Sequence, residues 1–152
     1  MSQTKAQLID AAATFTISSD ASFNSVSIGK GANSVAGNTV LGESALDSIT
    51  TGDNNTAVGK DALDANTTGA SNCAVGTNAL SANTTTSNNT AVGKDALKLN
   101  TASNNTALGF AALEANTTGA ENVATGALSL TTNTTGDFNS SFGRSALKLN
   151  TT

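Results

Sequence analysis

The sequence predicts an all-β fold, a parallel β-solenoid built from rungs of about seventeen residues. Three observations predict it. A glycine recurs at Gly42, Gly59, Gly76, Gly93, Gly109, Gly126 and Gly143, in steps of 17, 17, 17, 16, 17 and 17 residues. An asparagine stands four residues before every one of them. Bulky apolar side chains are too few for a compact globule: aromatics are 3% of the 152 residues and there is no Trp or Tyr. A fixed period of this length is the mark of units that cannot bury their own apolar face and do so by stacking.

Each element of the unit has a physical use. Asn55-Thr56-Ala57-Val58-Gly59 is short, partly β-branched and closed by glycine, which suits a strand of about four residues followed by a turn. On this reading Val58 points into the rung and Thr56 shares its face. The residue before glycine is Leu41, Val58, Val75, Val92, Leu108 or Phe142, with Thr125 the exception. A second apolar anchor follows four residues after glycine, at Leu46, Leu63, Leu80, Leu97, Leu113, Leu130 and Leu147. These two columns are the expected core. The intervening Lys60–Asn66 segment holds good helix formers and suits either one helical turn stopped at Asn or a second short strand.

The column Asn38, Asn55, Asn72, Asn89, Asn105, Asn122 and Asn139 is expected to form a ladder, its amides bonding to the rungs above and below. A second column runs through Asn66, Asn83, Asn100, Asn116, Asn133 and Asn150, with Ile49 in its place in the first unit. Gly52, Gly69, Gly119 and Gly136 supply turn chemistry after it.

The chain divides into residues 1–20, a non-repeating attachment or capping segment, and residues 21–152, the solenoid. Residues 24–29 (Asn24-Ser25-Val26-Ser27-Ile28-Gly29) read as a shortened rung without the Ala-Leu insertion. At the other end Asn150-Thr151-Thr152 stops within a unit, so a cap is expected from further sequence or from another chain. Two bulky side chains per rung are a small return for ordering seventeen residues. Burial against further copies would supply more, and a homo-oligomer about a common axis is expected.

Composition also limits chemistry. With no His, no Ser-His-Asp, Cys-His or His-metal site can form, and neither an enzyme activity nor a cofactor is expected. Cys73 takes a column mostly filled by Thr and reads as a small packing residue. Asp61, Asp64 and Asp95 read as solvated charges at variable positions. The exposed column Glu43, Lys60, Thr77, Lys94, Phe110, Ala127 and Arg144 varies too much to make a flat repeated binding face. The net charge of −4 lacks a basic stripe for nucleic acid, and no apolar run is long enough to insert in a membrane. The opening Met1–Asp10 is not a secretory signal, because Asp10 interrupts any apolar stretch.

The unit Asn-Thr-Ala-Val-Gly-Lys-Asp-Ala-Leu-x-x-Asn-Thr-Thr-Gly-x-x-Asn resembles repeats of tailed-bacteriophage fibre proteins, including those of cyanophages. Residues 24–29 are similar to head repeats of trimeric autotransporter adhesins, which are parallel β-rolls trimerised about a common axis. The resemblance spans about residues 24–152. It implies a homotrimeric structural fibre of a virion, tail or head, docked on another virion protein through residues 1–20, with host attachment and a host-surface glycan as further partners. The alternative is a glycan-binding solenoid such as a bacterial cell-surface adhesin. An autotransporter needs a secretion signal and a membrane anchor, and this sequence shows neither, which favours the virion.

Overall fold

The computed structural model describes residues 20–152; the expectations for residues 1–19 lie outside the described residues. Among the described residues nine strands form one sheet in sequence order. Strands β1 (Ala21–Phe23) and β2 (Val26–Gly29) make an antiparallel hairpin. Its turn places Asn24 and Ser25 at φ 50° and 67°, the left-handed pair that a two-residue hairpin turn requires. β2 then pairs antiparallel with β3 (Thr39–Gly42). Residues 24–29 are therefore not a shortened parallel rung: they lie across the first rung and cover its edge. Asp20 holds the hairpin's far end, accepting hydrogen bonds from the backbone N–H groups of Lys30 at 2.7 Å and Gly31 at 2.6 Å.

From β3 onward every pairing is parallel and in register, through β4 (Thr56–Val58), β5 (Cys73–Val75), β6 (Thr90–Val92), β7 (Thr106–Leu108), β8 (Val123–Thr125) and β9 (Ser140–Phe142). Six turns of 16 or 17 residues join these seven strands. The 16-residue turn lacks one residue in the corner between Asn100 and Asn105, so Val92 still pairs with Leu108 and the strand register is kept.

The Ala-Leu segment is neither helix nor strand. Asp61 and Leu63 sit at φ 55° and 52°, and the same two positions are left-handed in every rung. An L-residue adopts this conformation only against its intrinsic preference, so no helical turn propagates. The alternation folds the segment into consecutive tight turns that carry Leu63 inward. Helical structure among the described residues is confined to a 3-10 turn at Ala32–Ser34.

The core is narrow. Leu46, Leu63, Leu80, Leu97, Leu113 and Leu130 are fully buried, as expected, together with Ile49. Facing them are Val40, Ala57, Ala74, Ala91, Ala107 and Ala124, the middle residues of the strands, and the alanines that precede each leucine. The two serines that break these alanine columns, Ser129 and Ser141, lie in adjacent rungs and hydrogen-bond to each other at 2.7 Å. Each buried hydroxyl thereby meets the other's need for a partner.

Candidate functional site

The strand face turned away from the core carries a column of exposed and half-buried apolar side chains. A strand alternates sides with period two. Thr56 and Val58 do share a face, but it is the outer one, because Ala57 faces the core. The expected core positions before glycine are accordingly outside. Leu41 is 44% exposed, Val92 39%, Leu108 38% and Phe142 72%, while Val58 and Val75 are half-buried. The reason is space. In the rungs of β4 to β8 the interior already holds a leucine, and the side chain opposite it is the methyl group of Ala57, Ala74, Ala91, Ala107 or Ala124. Leu147, in the last of the described rungs, is also exposed. The outer face thus carries two columns: Leu41, Val58, Val75, Val92, Leu108, Thr125 and Phe142, and beside them Thr39, Thr56, Cys73, Thr90, Thr106, Val123 and Ser140. Cys73 is half-buried on this face, not packed in the core.

The sequence does carry a signal, missed by the reading that put Val58 inside, that would have placed the alanine column there. It reads Ala in five successive rungs, Ala57 to Ala124, whereas the neighbouring column tolerates Leu, Val, Thr and Phe. Uniform small size is what tight packing demands. Variable size fits a surface that meets something else.

The Asn column forms its ladder, side chain to backbone. Asn55 Oδ1 accepts the backbone N–H of Asn72 at 2.9 Å, and Asn55 Nδ2 donates to the Gly69 carbonyl at 2.9 Å. The pattern recurs at Asn38, Asn72, Asn105 and Asn122, and Asn89 Oδ1 likewise accepts the N–H of Asn105. At the last rung Asn139 Nδ2 is buried without a partner. In the second column the amides bond to one another directly, as Asn116 Nδ2 does to Asn100 Oδ1 at 2.7 Å. The adjacent threonines are also engaged: Thr67 and Thr117 donate their hydroxyls to the carbonyls of Thr84 and Thr134 in the next rung. Those hydroxyls bind rungs together and do not form a free ligand-facing array.

The charged groups lie mostly at the corners. Lys60 Nζ meets Glu43 at 3.0 Å, and its pKa is raised by that hydrogen bond and the carboxylate charge. Asp95 is not the solvated charge expected from the sequence; it is 8% exposed. Burial works against its charge, yet the Asn78 amide at 2.9 Å, together with Lys98 and Lys94, holds its carboxyl below the ordinary range. Asp61 and Asp64 are half-buried, and burial raises the Asp64 carboxyl. Lys94 also lies 5.9 Å from the centre of the Phe110 ring. A cleft of about 320 Å³ between the hairpin and the first rung is lined by Asp20, Ser27, Asn33 and Asp47 among others, but both Asp20 oxygens are already bonded.

Among the described residues no group of three or more His, Cys, Asp or Glu side chains could hold a metal ion, and no helix is long and apolar enough to cross a membrane. Comparison with protein-family models, curated proteins and solved structures gives no match.

Proposed function

We propose that this chain is a structural fibre subunit of a virion, a spacer made of three copies packed in parallel about a common axis, with their outer strand faces turned toward it. The observation that carries this reading is the column from Leu41 to Phe142, apolar in every rung but that of Thr125 and exposed or half-buried wherever it is apolar. A contiguous apolar strip on a soluble protein is a contact surface. A partner that matches a side chain at each rung spacing, about 4.8 Å, needs the same spacing itself, and another copy of this chain has it. The three-fold number and the virion setting follow the repeat's resemblance to phage fibres. Residues 1–20 would then be the attachment piece.

Light scattering of the full chain tests this reading. A mass near three times 14.9 kDa is expected. A folded monomer would overturn it and favour the single-chain glycan-binding solenoid.

A further inference from the structure

We infer that the copies associate in parallel and in register, with Arg144 of one copy paired to Asp137 of the next. This rests on the ring of copies proposed above. Sheets pack face to face at about 10 Å, so each lies about 5 Å from a common axis, and a triangle of three such sheets has sides of about 17 Å, or about five extended residues. The three residues of β9, Ser140–Phe142, fill the middle of a side. The corners then fall at Phe138, with Asp137 just before it, at the strand's N-terminal end and at Arg144 at its C-terminal end. Rotation about the axis brings the C-terminal corner of one copy to the N-terminal corner of its neighbour at the same rung.

The charges suit that meeting. Asp137 and Arg144 are both exposed, and Arg144 forms no ion pair among the described residues. Asp137 uses Oδ1 to accept the backbone N–H of Ala120 at 2.7 Å, which fixes the carboxylate at the corner. The rung of β4 repeats the arrangement: Asp53 precedes the strand and Lys60 follows it, so that Lys60, already bonded to Glu43, would gain a second carboxylate from the neighbouring copy. The rung of β8 does not, since Ala120 and Ala127 occupy its two corners. An antiparallel pairing would instead join the C-terminal corners of both copies, setting Arg144 against Glu43, which Lys60 already holds, and Lys94 against Lys94, a like-charge clash. The corner pairs therefore specify direction and register, which the repetitive strand face leaves open to slippage by a whole rung.

The test is a charge-reversal cycle on the full chain: Asp137→Arg, Arg144→Asp and the double variant, with association followed by light scattering over a concentration series. Each single reversal is expected to weaken association about fivefold per contact, about a hundredfold for a ring of three, and the double variant to return to near the wild-type value. Neutral Arg144→Gln gives a smaller loss and serves if Asp137→Arg, which also removes the bond to Ala120, impairs folding. An oligomeric wild type whose single variants associate normally, or whose double variant stays as weak as the singles, overturns the pairing while leaving the fibre reading intact. A monomeric wild type overturns both.

Discussion

Replacing Asn55 with Ala tests whether the asparagine ladder holds the rungs together. Asn55 is fully buried. Its loss removes the acceptor for the Asn72 N–H and one donor to the Gly69 carbonyl, each bond being 2.9 Å long. The carbonyl keeps a second donor, Asn66 Nδ2, also at 2.9 Å. Only the Asn72 N–H is left without a partner. An orphaned buried donor costs about 1–3 kcal/mol and a lost hydrogen bond about 1 kcal/mol, so a destabilisation of about 3 kcal/mol is expected. Guanidinium unfolding followed by far-ultraviolet circular dichroism measures it, with Lys148→Ala, exposed and in no ion pair among the described residues, as a reference that should leave the midpoint unchanged. Asn55→Asp separates the ladder from simple packing. It keeps the acceptor but sets a buried carboxylate against a carbonyl, so it should be worse than Ala at neutral pH and recover on acidification, when the acid proton can donate. A change below about 0.5 kcal/mol for Asn55→Ala, or Asp behaving as Ala at all pH values, would refute the reasoning.

Gly76→Ala should be among the most damaging single-methyl additions, about 3 kcal/mol or more, because the new Cβ would lie 2.6 Å from the Gly93 carbonyl at φ +135°. Gly143→Ala, with nothing within 4 Å, should be clearly milder in the same melts, and equal effects would mean that rung contact is not what excludes the side chain. Glu121 is exposed and left-handed at φ 58°, in a column where Asn54, Asn88 and Asn104 also stand. Glu121→Asn should therefore raise stability by about 0.5–1 kcal/mol, and a loss would count against the assigned backbone. Two carboxylates should respond to pH in opposite senses. The Asp64 carboxyl is raised by burial and its Oδ1 has no partner, so it disfavours the fold at neutral pH and this penalty fades as pH falls through its raised pKa. Asp64→Ser, which copies Ser81 of the next rung, should gain stability at pH 7 and less toward pH 4. The Asp95 carboxyl is lowered, so its contribution is present above the unfolded value of about 3.9 and lost as pH falls through the depressed one. Asp95→Asn should flatten the acid side of a stability profile below about pH 4.

The period, the strands and the asparagine columns were legible because each writes the same residue at the same interval. The assignment of strand faces was not. Thr56 and Val58 are separated by two, and alternation alone says that they share a side without saying which side is in. Hydrophobicity suggested the wrong one, since valine outranks alanine as a buried residue in ordinary cores. What decides here is volume: the rung interior admits Leu63 and a methyl opposite it, so Ala57 goes in. The Ala-Leu turn was illegible for a related reason. Lys60–Ala65 has the composition of a helix, and no propensity argument puts leucine at φ 52°; only the stacked neighbour does, by accepting the Leu63 N–H at the Ala79 carbonyl, 3.1 Å away. The hairpin of β1 and β2 hid because Asn24–Gly29 imitates the first half of a repeat unit while pairing in the opposite direction.

The same volume limit bears on the proposed association of copies. Every rung holds a leucine in a left-handed conformation, φ between 47° and 60° counting the residues two before it, and an L-residue there is held against a cost of about 1 kcal/mol or more. A wider core would offset that strain within one chain, but the interior is lined by the methyl groups of Ala57, Ala74 and Ala91, and the stacked corners Gly59, Gly76 and Gly93 leave no room for a side chain. Additional apolar burial is then available only on the outside of the strand. That is where the larger residues stand, and their size varies from Val92 to Phe142 as it does not in the alanine column. An interior fixed by its own repeat excludes variation, whereas a face that closes on other copies can absorb it by small shifts between chains.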